Sequence, residues 1–284
     1  MSGAGHVRNV TPEEAAALVG DGLVRLLDVR TPGEYTALGH IPGARLLPVD
    51  LVASAPAVLH EDDRRPVLVY CEHGVRSEHA SALLARAGFD VLNMLGGMSR
   101  WTGPREHDAA PIAGPSSWLL ACADLLPPPG TALDVACGFG RHALLLASAR
   151  YRVRALDRDP VRVAFVQDIA ARLGLLVTTE AVDLETGDRD LGTGLFDLIV
   201  VTHYLHRPLF PALVRTLRPG GLLVYETFTV AQAALGQPRH PAFLLESGEL
   251  PRLVAPLTVV REREGEFEGR MVAGVAARKG ARAD

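Results

Sequence analysis

The chain has few cysteines and no pattern that would join them to one another or to a metal. Its 284 residues include only Cys71, Cys122 and Cys137. None of them stands in a Cys-x-x-Cys pair, and no histidine lies at a usual zinc-site spacing from a cysteine or a second histidine. These absences argue against a disulfide framework and a zinc centre, and we expect no metal.

Long apolar runs and blocks of basic residues are missing as well. No apolar stretch is long enough to span a membrane, and the first residues have no signal-peptide core, so we expect a cytoplasmic protein with no membrane partner. The net charge is −4 without a basic block, so we expect no nucleic acid partner. Small molecules are the expected substrates.

Length and composition predict two domains. A chain of 284 residues with 48% apolar and 22% charged residues can bury two cores. Residues 102–117 hold three prolines and two glycines with little apolar pattern, which is typical of a linker. We therefore predict one domain over residues 1–101 and a second over residues 118–284, both of the α/β class.

Cys71 stands where a predicted strand meets a predicted helix. The apolar run 66–70 indicates a buried strand of a parallel sheet, and Ser77 is an N-cap type residue followed by apolar positions at helical spacing. Ligands bind at this edge of open α/β sheets. Loop amides and a helix N-terminus there should lower the thiol pKa, and Arg76 adds positive charge. The alternative is a buried structural cysteine.

Four stretches in order resemble the rhodanese family of sulfurtransferases over about residues 7–101. They are residues 26–35, 40–44, 67–77 and 95–101. The resemblance implies that the family's reactive thiolate takes up a sulfane sulfur as a persulfide and passes it to a nucleophile. The family's loop is one residue longer in phosphatase-like relatives, so the Cys-x4-Arg spacing here favours sulfur over phosphate.

Carried over to this chain, the resemblance makes Cys71 the nucleophile and Arg76 its catalytic partner. The persulfide loop would comprise Glu72, His73, Gly74, Val75 and Ser77. Asp28 and Arg30 would support this loop, or would form only an ordinary ion pair at a strand end.

At the position of Glu72, many relatives have a basic or neutral residue instead of an acidic one. An exposed carboxylate there would repel a dianion such as thiosulfate by up to about 1 kcal/mol, and replacement by arginine should then improve thiosulfate use. The expected sulfur donor is a persulfide or a thiosulfate-like compound.

The second half opens with a strand, a glycine turn and a helix over residues 132–143. Gly138 and Gly140 let a backbone pass close to a ligand. This turn also fits a dinucleotide-binding fingerprint. Considered by itself, the turn is therefore equally compatible with a nicotinamide-dependent oxidoreductase. Asp157 and Asp183 each follow a further predicted strand, and residues 218–221 form an Arg-Pro-Gly-Gly turn.

This ordered series resembles the class I S-adenosylmethionine-dependent methyltransferases over residues 133–276. The resemblance implies a doubly wound Rossmann-like fold with S-adenosylmethionine as cofactor. The residues it assigns to cofactor binding are Asp134, Ala136, Cys137, Gly138, Gly140, Asp157, Arg158, Asp183, Leu184 and Thr202. For Asp183 a helix cap is the alternative.

The methyl acceptor site is predicted after the fourth and fifth strands of this domain. Its candidates are His203, as a general base or positioning group, and Tyr204 and Tyr225, with Thr227 and Phe228 beside them. A loop histidine that only packs on the cofactor is the alternative for His203. Residues 236–250 resemble a segment of tellurite-resistance-type methyltransferases.

Two functions remain open at this stage. In the first, a sulfurtransferase is fused to a methyltransferase whose small acceptor is a sulfur or chalcogen compound. In the second, the rhodanese-like domain is a non-catalytic sensor or docking module and only the methyltransferase turns over.

Overall fold

A computed structural model describes residues 5–60, 63–186 and 190–281. The chain divides into two compact units, Met1–Pro115 with Asp168–Leu175 and Ser116–Gln167 with Leu176–Asp284. Both are α/β, which confirms the predicted fold class. Within the described ranges, no helix combines the length and apolarity needed to cross a bilayer.

The first unit is built on five parallel strands. They are β1 (Val7–Val10), β2 (Arg25–Asp28), β3 (Arg45–Leu46), β4 (Val67–Tyr70) and β5 (Val91–Met94). Their order in the sheet is β1-β5-β4-β2-β3. The helices are α1 (Pro12–Gly20), α2 (Pro32–Ala37), α3 (Ala55–Val58) and α4 (Val75–Arg86).

The middle strand β4 is buried at all four positions because apolar clusters cover both faces of the sheet. Leu68 and Tyr70 belong to one cluster, and Val67 and Val69 belong to the other. Side chains that alternate between two buried faces explain why this strand is a continuous apolar run in the sequence.

Most of the segment predicted as a linker, residues 102–117, packs on the first unit. The backbones of His40 and Glu106 exchange two hydrogen bonds of 2.9 Å, and Ala113 N donates to Leu46 O at 2.8 Å. Ile112 packs against the apolar clusters. The second unit begins at Ser116, whose hydroxyl caps the next helix. The prolines and glycines correctly indicated that a boundary lies in this region. The first unit extends to Pro115, however, because the backbone of this segment is hydrogen-bonded to the first unit.

The second unit contains a seven-stranded sheet. Its strands are β6 (Thr131–Val135), β7 (Arg152–Asp157), β8 (Val177–Ala181), β9 (Phe196–Thr202), β10 (Leu217–Phe228), β11 (Thr258–Phe267) and β12 (Arg270–Arg278). Its helices are α5 (Ser117–Ala121), α6 (Arg141–Ser148), α8 (Phe210–Thr216) and α9 (Glu249–Leu253), together with the residues before Asp168 of α7 (Pro160–Leu173).

The sheet order is β11-β12-β10-β9-β6-β7-β8, and strands β6 to β10 run parallel. From β6 the chain moves outward through β7 and β8, then returns to the other side of β6 with β9 and β10. Such a reversal leaves a crevice at the carboxyl ends of the central strands. An antiparallel hairpin of β11 and β12 closes the sheet beside β10.

Candidate functional site

Cys71 lies at the carboxyl end of β4, and its side chain is buried, with 1% of the residue exposed. Gly74 N donates a hydrogen bond to the sulfur at 3.1 Å. Gly74 is the N-cap of α4. Its φ of +95° is a left-handed backbone conformation, which favours glycine. The helix therefore starts at Val75, three residues before the start at Glu78 that an N-cap at Ser77 predicted.

Ser77 lies inside the first turn of α4 and faces the thiol. Its hydroxyl is 3.7 Å from the Cys71 sulfur, 2.9 Å from Gly74 O and 2.7 Å from Asn93 Oδ1. A serine hydroxyl can donate one hydrogen bond and accept others, so it can hold either the thiol or a charged sulfur in place.

The segment after β5 locks the Cys71 loop from the other side. Met98 N donates to Cys71 O at 2.8 Å, and Ser99 N donates to Glu72 O at 2.9 Å. A Cβ atom at Gly97, which has φ +61°, would lie 2.2 Å from Cys71 O. Only glycine allows this close approach of the two backbones.

Arg30 joins Asp28 to the loop in a buried ion-pair network. The Arg30 guanidinium lies 2.7 Å from Asp28 Oδ2 and 2.8 Å from Glu72 Oε2, and both the Asp28 and the Arg30 side chains are fully buried. The Glu72 side chain is only 16% exposed. The Glu72 carboxylate is therefore partly exposed but not a free charge, because Arg30 reaches it from the end of β2.

Arg76 is paired with Glu34 rather than left free at the loop. The two guanidinium nitrogens of Arg76 lie 2.7 and 2.5 Å from the Glu34 carboxylate. This hydrogen bonding, with the bonds from Thr31, holds the pKa of Glu34 at about 2, and it raises the pKa of Arg76. The Cys71 sulfur adds a smaller favourable interaction with Arg76.

The second unit carries a cavity of about 510 Å³ at the carboxyl edge of its sheet. Seven predicted site residues line it: Ala136, Asp157, Arg158, Asp183, Leu184, His203 and Tyr204. Thr227, Phe228, Pro238 and Phe243 also line it. Sequence reasoning did not single out Arg162, Val182, Glu185, Leu205 and Gln237 as site residues, although Gln237 lies in the segment 236–250 noted above.

The glycine turn after β6 presents its backbone to this edge. Ala136, Gly138 and Gly140 have φ values of +54°, +56° and +80°. A Cβ atom at Gly138 would meet only open space, whereas one at Gly140 would lie 2.7 Å from Val166 on α7. Gly138 thus leaves room for a ligand beside the backbone, and Gly140 allows the helix to pack.

Asp157 is tied to the turn that it faces. Its carboxylate accepts hydrogen bonds from Gly138 N at 2.8 Å and from Asp159 N at 3.0 Å. Each carboxylate oxygen therefore accepts one backbone hydrogen bond, and its remaining lone pair can accept from a ligand hydroxyl.

Asp134 and Cys137 lie near this cavity but do not line it. Asp134 is buried and accepts a hydrogen bond from Ala143 N at 2.9 Å, and its burial raises its pKa to about 7. Burial also raises the pKa of Cys137, which suits a packing thiol rather than a reactive one.

Two further predicted site residues lie elsewhere than the sequence suggested. The acceptor candidate Tyr225 is 1% exposed, and its ring stacks on Phe210 in the core while its hydroxyl donates to Tyr204 O at 2.7 Å. Thr202, assigned to cofactor binding, ends β9 and does not line the cavity. Tyr204 does line the cavity, and burial, followed by the charges of Glu185 and Asp183, raises the pKa of its phenol.

His203, which lines the cavity, is held by a backbone hydrogen bond and a ring contact. Its φ is +56°, its N–H donates to Glu226 O at 2.8 Å, and its ring stacks on Phe228 at 4.9 Å. Burial, followed by the charges of Arg141 and Arg270, lowers its pKa to about 4. The imidazole is therefore neutral near pH 7.

Comparison with known proteins matches each unit to a family. Residues 11–104 match the model of the rhodanese-like domain. A thiosulfate sulfurtransferase of Ectopseudomonas mendocina is 37% identical over 102 residues, 35% of this chain and 90% of that protein. This chain belongs to the rhodanese family.

The second unit is a methyltransferase domain, since residues 132–221 match that family's model. The crystal structure of TehB from Haemophilus influenzae is similar with a TM-score of 0.49 and 20% identity, over 57% of this chain and 61% of that one. An adenylyltransferase/sulfurtransferase of Mycobacterium tuberculosis, named as probable, is 35% identical over 101 residues, 35% of this chain. The chain spans about a quarter of that relative's length, 26%.

Replacement of Glu72 by arginine should destabilise the first unit by about 1–3 kcal/mol, because it places a second guanidinium against Arg30 in a mostly buried position. Urea denaturation of Glu72→Arg against Glu78→Arg, an exposed acid on α4, measures this. Equal stabilities together with improved thiosulfate use would contradict the ion-pair role.

Asp134→Asn should flatten the pH dependence of the stability of the second unit. The pKa of Asp134 rises from 3.8 to about 7 on folding, so the folded state binds more protons in that window. The free energy of unfolding should therefore fall as pH rises from about 4 to about 7, at most by about 1.4 kcal/mol per pH unit. Urea denaturation across this range, with Asp159→Asn as control, would reject the idea if wild type and Asp134→Asn showed the same slope.

Proposed function

We propose that the protein is a bifunctional enzyme. Cys71 carries a sulfane sulfur as a persulfide, and the second unit transfers a methyl group from S-adenosylmethionine to a small acceptor. The observation that carries the first activity is the Cys71 sulfur, held at the end of a strand by the amide of Gly74. The second rests on one cavity that gathers the strand-end acids Asp157 and Asp183 with Ala136 of the glycine turn.

Sulfur transfer needs a thiolate that can attack and leave again. The Cys71 thiolate attacks the sulfane sulfur of the donor, the donor's S–S bond breaks, and the donor leaves as an anion. An acceptor thiolate then attacks the outer sulfur of the Cys71 persulfide and releases the Cys71 thiolate. Gly74 N, Ser77 and Arg76 stabilise the negative charge in both directions.

The charges around the loop favour a persulfide donor over thiosulfate. Three carboxylates, those of Asp28, Glu34 and Glu72, are paired with only two guanidinium groups, Arg30 and Arg76. The network therefore has one negative charge in excess, which disfavours a dianion. Glu72 acts here as part of a network and not as an isolated exposed charge.

The cavity of the second unit fits S-adenosylmethionine. Its volume of about 510 Å³ is that of a small-molecule site. Asp157 would hold the ribose and Asp183 with Leu184 the adenine, while the open space beside Gly138 would admit the methionine part. When bound, this cofactor supplies an electrophilic methyl group.

The proposed position of the acceptor is beside His203 and Phe228, which both line the cavity. A neutral imidazole and an aromatic ring suit a small, soft nucleophile such as a thiol, persulfide or related chalcogen compound. We assign no role to nucleic acid or membranes. A product of sulfur transfer is itself a soft nucleophile, so both units would act on sulfur chemistry.

Cys71→Ser should abolish persulfide formation and leave the fold intact. Intact-mass analysis after exposure to a persulfide donor should show one added sulfur atom in wild type and in Cys122→Ser, but not in Cys71→Ser. If no donor gives this species in wild type, the rhodanese unit is better described as a sensor or docking module.

Asp157→Asn should weaken S-adenosylmethionine binding by roughly 1–3 kcal/mol, because the charge that accepts from ribose hydroxyls is lost and the single amide oxygen can accept only one of the two backbone hydrogen bonds. Calorimetry on the full chain, with the neighbouring Asp159→Asn as control, measures this. Binding of a nicotinamide dinucleotide instead, without affinity for S-adenosylmethionine, would contradict the methyltransferase assignment.

A further inference from the structure

A chain of polar side chains runs from Cys71 into the sheet of the first unit. The Ser77 hydroxyl is 3.7 Å from the Cys71 sulfur and 2.7 Å from Asn93 Oδ1. Asn93 Nδ2 donates in turn to Asn9 Oδ1 at 3.0 Å. Hydrogen bonds thus connect the thiol to side chains of β5 and β1.

The register of the parallel strands places these side chains on one face of the sheet. Asn9 on β1 pairs with Asn93 on β5, and Asn93 pairs with Val69 on β4. Cys71 follows Val69 by two residues and belongs to the same apolar cluster, on the face that α4 covers. Asn93 is 4% exposed on this face. A buried amide needs hydrogen-bond partners, and Ser77 and Asn9 supply them.

The Ser77 hydroxyl has one proton and two oxygen acceptors within reach. Asn93 Oδ1 lies 2.7 Å and Gly74 O 2.9 Å from the hydroxyl oxygen. Because Asn93 Nδ2 donates to Asn9, the amide presents its oxygen, and not its NH2 group, to Ser77. A hydroxyl whose proton is directed to a carbonyl oxygen can only accept from the Cys71 sulfur. In this arrangement Ser77 therefore stabilises the protonated thiol.

Ionisation of Cys71 reverses what the sulfur requires of Ser77. A thiolate has no proton to donate and is stabilised by donors, of which Gly74 N at 3.1 Å is one. The Ser77 hydroxyl becomes a second donor only when it turns away from Asn93. The Asn93 oxygen and the Cys71 sulfur thus compete for a single proton.

The charged and titratable groups around the loop are not part of this chain of hydrogen bonds. They are Arg76 with its partner Glu34, Glu72 with Arg30 and Asp28, and His73 and Glu78, which line a cavity of about 240 Å³ beside the loop. Among the described residues, none of these groups is hydrogen-bonded to the side chain of Ser77 or Asn93. A substitution of Asn93 therefore leaves the charges around Cys71 in place.

We propose that Asn93 is a positioning residue that controls the ionisation of Cys71 through Ser77. By holding the Ser77 proton, it keeps the resting sulfur in its thiol form, which is less nucleophilic than the thiolate. Asn93 does this without touching the sulfur. The inference rests on the sulfur transfer proposed above and concerns the regulation of that same site.

Asn93→Leu in the full-length protein tests the proposal, because leucine is similar in size and neither donates nor accepts a hydrogen bond. The rate of Cys71 alkylation by iodoacetamide is measured against pH by peptide mass analysis, which separates Cys71 from Cys122 and Cys137. The pH midpoint should fall by about half a unit to one unit, as for one hydrogen bond gained by the thiolate. Below the midpoint, alkylation should be roughly three- to tenfold faster.

A double substitution shows whether the effect passes through Ser77. When Asn93→Leu is added to Ser77→Ala, it should leave the midpoint of Ser77→Ala unchanged. Ser81→Ala is the matched control, because Ser81 is a second buried serine of α4 and its hydroxyl has no hydrogen-bond partner among the described residues. This variant should keep the wild-type midpoint.

Asn9→Ala decides the question if Asn93→Leu does not fold. Asn9 is exposed, so its truncation should leave the fold intact. Without its bond to Asn9, the Asn93 amide can turn its NH2 group towards Ser77. The midpoint should therefore fall in this variant too, by a smaller amount.

Three outcomes would overturn the role of Asn93. They are an unchanged or raised midpoint in the deciding variant, the same shift with and without the Ser77 hydroxyl, and a Cys71 that iodoacetamide modifies at no pH. Alkylation requires no sulfur donor, so failure of the proposed sulfur transfer is a separate result. It would appear as wild-type protein that is alkylated at Cys71 but gains no sulfur atom from any persulfide donor.

Discussion

Parallel strand pairing is the constraint on which both candidate sites depend. In a parallel sheet the carboxyl ends of all strands meet at one edge, and right-handed crossovers return the chain to that edge repeatedly. In the first unit β4 lies between β2 and β5, so the Cys71 loop is reached by Arg30 from one side and by residues 96–99 from the other. In the second unit the same geometry brings together the ends of β6, β7, β9 and β10.

Charge pairing then decides what the first site can accept. Arg30 is fully buried and shared by Asp28 and Glu72, and a buried guanidinium requires such partners to offset its lost hydration. The arrangement fixes the loop beside the thiol through side chains that do not touch the sulfur. It also means that Glu72 supports the backbone of the loop and cannot be considered as an independent charge at the entrance.

The second site brings two kinds of group to one cavity. Asp157 and Asp183, which stand at or just after strand ends, line it together with Ala136 of the glycine turn. His203 and Phe228, whose rings stack, line it as well. Burial and the charges of Arg141 and Arg270 lower the pKa of His203, so its imidazole is neutral near pH 7.

The sequence by itself determined the two α/β units, the rhodanese and methyltransferase assignments, and the positions of Cys71, Asp157 and Asp183. These follow from local patterns: apolar strands, glycines that need positive φ, and acids placed directly after strands. The start of α4 at Val75 was not predictable, because Gly74 caps the helix through its left-handed backbone. Contacts between residues far apart in the chain were also not predictable. No residue near Glu72 in the sequence indicates that it pairs with Arg30, 42 residues away. Only the tertiary structure decided that Glu72 is paired with Arg30 and that Tyr225 packs in the core. It also decided that the charges of Arg141 and Arg270 lower the pKa of His203. Burial and long-range charge depend on how the strands are ordered in the sheet.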